Sequence, residues 1–292
     1  MAQVYFIGAG PGDLELLTVK GQRLIREADV VIFTDSLVNP EIAKLAKPGA
    51  AVHGSAGLTL EQICDLMVEA AREGKTVARV HTGDPSIFGA VLEQMAVLDR
   101  EGVSYEVVPG VTSFVAAAAA LRVELTVPDL VQTVIVTRVG GRTPMPPREQ
   151  LADLASHQAT MAFFLSVTLM SKLTSELMEG GYPPETPAAV VHKATWPDQK
   201  IVRGTLGTIA EQVKEAGIRT QSMVLVGAAL DPDLRAGGHR SRLYDAEFTH
   251  SFRRGSGWRP SVPGAAYAVI PSESEESQAT VPPSEIPRMR SE

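Results

Sequence analysis

Cysteine is almost absent from this chain: one residue, Cys64, among 292. A single thiol excludes an intrachain disulfide and a cysteine-rich metal centre. Histidine is sparse, and His81 and His192 have no partners at metal-ligand spacing, so no metal site is expected. Long apolar runs are missing too. The alanine run Ala116 to Ala120 is short and flanked by Arg122 and Glu124, far from the roughly 20 residues that span a bilayer. The opening MAQVYFIGAGPGD has no positive region before its apolar run, so it does not read as a secretory signal, and a cytoplasmic location is expected. A basic excess is lacking as well. Lys and Arg number 27 against 34 Asp and Glu, for a net charge of -7, which argues against general nucleic-acid affinity. No Walker pattern occurs. What remains is 44% hydrophobic content, enough for one large domain or two small ones.

Short apolar runs alternate with helix-period segments. Strands are expected at 4–7, 30–33, 76–80 and 105–108, and helices at 18–27, 59–72, 86–100 and 112–121. The clearest helix is 59–72, where Leu60, Ile63, Cys64, Met67 and Ala71 share one face. Thr59 followed by Gln62 resembles a capping box. Cys64 on that face reads as core. A break comes at LTVPDLVQ, after which strands are expected at 133–137, 161–165, 188–192, 200–203 and 223–226. Helices are expected at 148–155, 169–180 and 206–216. The reading is two α/β domains, 1–122 and 123–231. From about Asp231 the pattern dissolves into Gly, Arg, Ser, Glu and Pro. Residues 232–292 are expected to be a disordered tail, because such a segment buries too little apolar surface to offset its ordering entropy.

Three glycine turns carry the chemistry. Gly8-Ala9-Gly10-Pro11-Gly12-Asp13 follows a strand, as a dinucleotide fingerprint does, but Asp13 stands where that pattern has its third glycine. A carboxylate beside a pyrophosphate is electrostatically wrong, and Pro11 removes an amide donor. The turn therefore suits a ligand without phosphate, or none. The second turn is His81-Thr82-Gly83-Asp84-Pro85, in which Gly83 permits close backbone approach and Pro85 suits a first helical turn. Asp84 reads either as a helix cap or as a ligand group. The third is Pro109-Gly110-Val111-Thr112-Ser113. Turns at the carboxyl ends of parallel strands gather on one sheet edge, where open α/β sheets bind ligands.

Together and in this order, GAGPGD, GDP and PGVTS before an alanine-rich helix resemble the tetrapyrrole methylases. RVHTGDPSIFGA, EVVPGVTSFVAAAAA, LTVPDLVQTVIVTR and HKATWPDQKIVR sharpen the match, which covers roughly residues 3 to 231. The resemblance implies the class III methyltransferase fold of two α/β domains with a cleft between them, and a homodimer. It implies S-adenosylmethionine as cofactor and methylation of carbon 11 of precorrin-4 or its cobalt form, on the route to cobalamin. Methylation of another ring carbon, or of RNA or protein on the same fold, is the alternative; the acidic balance counts against the last. Carried over by position, the implied cofactor residues are Pro11, Thr82, Gly83, Asp84, Ile87, Thr112, Ser113, Leu165 and Gly204, with Ala194 and Met223 beside them. Leu165 replaces a methionine common in relatives.

Asp35 ends the second strand. Relatives acting on an earlier precorrin carry a proposed acid-base aspartate there, and a turn residue is the other reading. Their partner lysine is missing, since the corresponding stretch is Val52-His53-Gly54-Ser55-Ala56-Gly57. Arg138, Arg142 and Lys193 are candidates for substrate carboxylates, or ordinary surface cations. His81 and His192 read as substrate contacts or structural histidines, and Trp196 as loop packing or a stacking platform.

Overall fold

Two five-stranded sheets organise the chain. The computed structural model describes residues 3–236 and 241–248. The first sheet is wholly parallel and contains β1 (Val4–Gly8), β2 (Val30–Phe33), β3 (Ala51–Gly54), β4 (Val77–His81) and β5 (Tyr105–Val108), in the order β3-β2-β4-β1-β5. β1, β2 and β4 are buried along their whole length, as central strands of a sheet covered on both faces must be. One face packs on α2 (Leu60–Arg72) and α3 (Leu92–Arg100); Phe6, Ile32, Met67 and Leu98 form that core. The other packs on α1 (Val19–Glu27), with Ile7, Ile25 and Val80. The capping box of α2 is present, with the Thr59 amide donating to Gln62 Oε1 at 2.9 Å.

α4 (Ser113–Leu121) leads from the first sheet to the second. That sheet holds β6 (Val134–Arg138), β7 (Thr160–Phe164), β8 (Pro187–His192), β9 (Lys200–Thr205) and β10 (Ser222–Val226), in the order β6-β7-β10-β8-β9. It is mixed: β6 and β7 run parallel, and β10 is antiparallel to both β7 and β8. α5 (Leu151–Ala155), α6 (Met170–Glu179) and α7 (Ile209–Glu215) cover one face. The alanines of α4 pack against Ala162, Ala189 and Leu225 on the other. Their small side chains let a helix lie close to a sheet.

Three expectations change. The helix expected at 86–100 begins only at Leu92. Pro85 does not open it, because Asp84 caps a tight turn at Ser86, and Phe88 and Ala90 adopt left-handed φ of 53° and 49°. β3 was not anticipated, since its exposed AVHG lacks an apolar run. Residues 232–236, placed in the expected tail, include a 3-10 turn, Pro232–Ala236. Arg235 there donates to the Arg122 carbonyl at 2.6 Å. The rest of that tail lies outside the described residues, apart from 241–248, which carry a 3-10 turn at Arg242–Tyr244. Among the described residues, no helix is long and apolar enough to cross a membrane.

Candidate active site

The carboxyl ends of β4, β1 and β5 lie side by side, and their three glycine turns stack backbone on backbone. Gly10 and Gly83 exchange hydrogen bonds, at 2.8 Å from the Gly83 amide and 3.2 Å from the Gly10 amide. A Cβ on Gly110 would sit 2.2 Å from the Gly83 carbonyl oxygen, and one on Gly8 2.6 Å from Gly110 Cα. No side chain fits between these turns. Gly83 has φ +61°, a conformation costing a non-glycine residue about 1–2 kcal/mol.

Asp84 ties the stack together. Its Oδ2 accepts from the Gly110 amide at 2.8 Å, and its Oδ1 from the amide and hydroxyl of Ser86. Burial opposes its charge, but the Ser86 hydroxyl and the amides of Gly110 and Ser86 outweigh that and hold its carboxyl below the usual range. Both oxygens are engaged in holding turns in place. Asp13 has a similar use: its Oδ1 accepts from the Glu15 amide, and its own amide donates to Thr195 Oγ1 at 3.0 Å.

The first turn is latched to the second sheet. Trp196 Nε1 donates to the Pro11 carbonyl at 2.9 Å. A Cβ on Gly12 would lie 2.0 Å from that nitrogen, so Gly12 leaves room for the indole. Trp196 thus packs against a loop, and it also faces a cavity of about 370 Å³ between the two sheets. Pro11, Thr82, Gly83, Asp84, Ile87, Thr112, Ser113, Leu165, Ala194 and Met223 all line this cavity. Gly204 does not. It lies in the edge strand β9, where its missing side chain makes room for Gln212, whose Oε1 is 2.2 Å from an added Cβ.

Of the substrate candidates, Lys193 lines the cavity, 2.6 Å from Asp198 and 5.4 Å above the Trp196 ring. Arg138 does not; it braces its own loop, donating to the carbonyls of Thr143 and Pro144. Arg142 is exposed and outside the cavity wall. Asp35 is exposed and does not itself line the cavity, although Leu37 two residues on does; its Oδ1 accepts from the Ala56 amide at 2.7 Å. The His53 to Ala56 stretch therefore supplies a backbone partner for Asp35. His192 bonds through Nδ1 to the Thr220 carbonyl at 2.8 Å.

Several wall residues escaped sequence reasoning. Phe88 and Phe164 face each other from the two sheets at 5.1 Å, and Arg219 joins Lys193 at the second-sheet side. Nothing in IRTQS marks Arg219 as special, because the loop reaches the cavity only through the antiparallel path of β10. A signal common to part of the wall is backbone strain: Phe88, Leu165, Lys193 and Gln221 line the cavity with left-handed backbone, and such strain gathers at functional sites. It is visible only in coordinates.

The wall offers the polar and apolar groups that a ligand such as S-adenosylmethionine needs. The hydroxyls of Thr82, Thr112 and Ser113, and the amides opening α4, which carries no side-chain cap, provide hydrogen-bond groups. Val191, Ala194 and Met223 provide apolar surface. Asp13 and the carbonyl of Pro11 are already committed.

Below the site, His81 is buried with its Nε2 unpartnered. Burial first, and the Arg79 charge second, push its imidazole down to about 3. The unfolded chain takes up that proton near 6.5 and the native state does not, so stability falls as pH drops below about 6.5. The limiting slope is about 1.4 kcal/mol per pH unit. His81→Phe is expected to flatten this slope in urea unfolding between about pH 6.5 and 4.5. Unchanged slopes would show that His81 does not set it.

Fold and site define an α/β protein of two sheets with a cleft between them, at the carboxyl edge of its parallel sheet. The model of the Tetrapyrrole (Corrin/Porphyrin) Methylases matches residues 3–210. The chain belongs to that family. It is 54% identical over 253 residues to a cobalt-precorrin-4 C(11)-methyltransferase of Priestia megaterium, covering 87% of this chain and 98% of that protein. The solved structure of a cobalt precorrin-4 methyltransferase, a cobalamin biosynthetic enzyme, is similar at TM-score 0.77 and 55% identity, over 78% of this chain and 96% of the other. A uroporphyrin-III C-methyl transferase from Thermus thermophilus, solved in complex with S-adenyl homocysteine, is similar at TM-score 0.66 and 30% identity, over 78% and 99%.

Proposed function

We propose that the chain methylates carbon 11 of precorrin-4 or cobalt-precorrin-4, on the route to cobalamin, as a cytoplasmic homodimer. The observation that carries the reading is the cleft: a largely apolar wall beside the stacked glycine turns, with Lys193 and Arg219 as its cations. Identity to the Priestia relative over nearly its full length supports carbon 11. When bound, S-adenosylmethionine supplies an already activated methyl group. The chain's own task is then to align two reactants and exclude water. Thr82, Thr112 and Ser113 hold the cofactor, with Pro11, Ile87, Leu165, Ala194 and Met223 against its apolar surface. Lys193 and Arg219 orient substrate carboxylates, Arg219 with the planar fork that suits them. Asp35, two residues from the lining Leu37, accepts or orients a proton of the ring being methylated.

Mass spectrometry and NMR of the product from precorrin-4, with and without cobalt, test this. One added methyl at carbon 11 is expected, and a methyl elsewhere overturns the reading. In the same assay Asp35→Asn, which keeps an acceptor for the Ala56 amide, is expected to lower kcat about tenfold and leave cofactor affinity within a few-fold. Wild-type turnover would remove Asp35. Arg219→Gln is expected to raise KM, and an unchanged KM would remove Arg219. Light scattering of the same preparation should give twice 31.1 kDa; a monomer would refute the dimer.

A further inference from the structure

Arg79 lies in the middle of β4, is 4% exposed, and has no carboxylate partner among the described residues. A buried guanidinium is costly unless its donors are satisfied. Three neutral acceptors serve it: Gln94 Oε1 at 3.1 Å, Ser55 Oγ at 3.1 Å and the Ile32 carbonyl at 3.4 Å. Burial pushes it down to about 10, so it stays protonated at neutral pH.

Each acceptor leads to a loop at the cleft. Ile32 and Ser55 stand at the ends of β2 and β3. Ser55 bonds through its amide (2.9 Å) and hydroxyl (3.1 Å) to the Phe33 carbonyl, and the next amide, of Ala56, holds Asp35. Gln94 donates its Nε2 to the Ala90 carbonyl at 2.9 Å. Ala90 closes the strained segment that brings Ile87 and Phe88 to the cavity wall. The guanidinium is thus the junction between the Asp35 turn and the Ile87–Phe88 segment. A hydrophobic side chain of similar volume would fill the space and sever both links.

We propose that Arg79 is a positioning residue that holds the Asp35 turn and the Ile87–Phe88 segment at a fixed separation, and so sets the alignment of the two reactants in the cleft. This rests on the function proposed above. Arg79→Met is expected to lower kcat on precorrin-4 at least about tenfold, with a smaller, few-fold loss of S-adenosylmethionine affinity through Ile87 and a Tm close to the wild type's, and Arg79→Lys recovers part of the loss. In hydrogen exchange of Arg79→Met, the amides of Ala56 and Ile87 should lose protection together. Ser55 and Gln94 belong to different elements and are joined through Arg79, so Ser55→Ala and Gln94→Met should together lower kcat by less than the product of their separate effects. This cycle decides the matter if Arg79→Met does not fold. Wild-type kcat in folded Arg79→Met overturns the proposal. So do multiplicative effects in the cycle, and so does a parallel loss of kcat, cofactor affinity and Tm, which marks a merely structural residue. If the wild-type protein does not turn over precorrin-4, the function reading fails instead. The exchange measurement then tests Arg79 by itself, and unchanged protection of Ala56 and Ile87 overturns it.

Discussion

Gly83→Val is expected to raise the dissociation constant for S-adenosylmethionine at least about 100-fold, close to 3 kcal/mol, in a protein that remains folded. Gly83 sits at φ +61°, where a β-branched residue is a genuine outlier. The nearest atoms to the added Cβ, in Ser113 and Thr112, lie at 3.6 and 3.7 Å, so strain rather than collision drives the change. Relief requires rotating the peptides on either side. Those peptides make the paired bonds to Gly10 and position Thr82 and Asp84. Asp84 in turn holds Gly110, so all three turns shift at the cleft. The cores on either face of the parallel sheet contain no part of this turn, and the fold survives. Calorimetry with S-adenosylmethionine measures the loss, with NAD as the control, to which neither protein should bind. A folded variant with unchanged affinity would take Gly83 out of the site.

Gly12→Ala is expected to have the second large effect, and Trp196 is the reason. With its methyl placed 2.0 Å from Trp196 Nε1 and 2.2 Å from Cδ1, either the turn or the indole must move. The bonds from Trp196 to Pro11 and from Asp13 to Thr195 then break. Both connect the first glycine turn to the second sheet, so the cleft loses its latch on that side. Turnover should fall at least about tenfold and stability by about 1–3 kcal/mol, the usual cost of overpacking. Trp196→Ala by itself should cost about 2–4 kcal/mol through lost packing. In the double variant the clash is gone, so its loss of stability should be smaller than the sum. Activity should not return, because Trp196 also lines the cavity. Urea unfolding of the four proteins decides this, and strictly additive losses would mean that the two residues do not press on each other.

Much of the fold was legible in apolar periodicity. β2 and β5 span the residues expected, and α2 starts one residue after its capping threonine. β3 was hidden because an exposed edge strand of four residues needs no apolar run. The helix after Gly83 was overextended because Asp84 and Pro85 are good opening residues in isolation. Here Asp84 spends its carboxylate on Gly110, 26 positions away, and its local bond to Ser86 caps a turn instead. The substrate candidates fared unevenly for a similar reason. Arg138 and Lys193 both sit at strand ends, but β6 is an outer strand whose arginine finds carbonyls of its own loop, whereas β8 ends at the cleft.

The sequence by itself determined that the parallel sheet is built on apolar runs such as β1 and β2, that glycine turns follow β1, β4 and β5, and that Asp13 replaces the glycine a dinucleotide would need. These follow from local chemistry: side-chain period, backbone freedom and the sign of a charge. Only the tertiary structure decided why the glycines are required. Gly8 and Gly110 leave no space between stacked turns, Gly12 admits an indole from the second sheet, and Gly204 admits a glutamine. It also decided which cations reach the cleft and that a buried Arg79 joins two of its loops. Each of these depends on atoms from distant segments occupying or vacating the same few cubic ångströms, and no local pattern of residues encodes that.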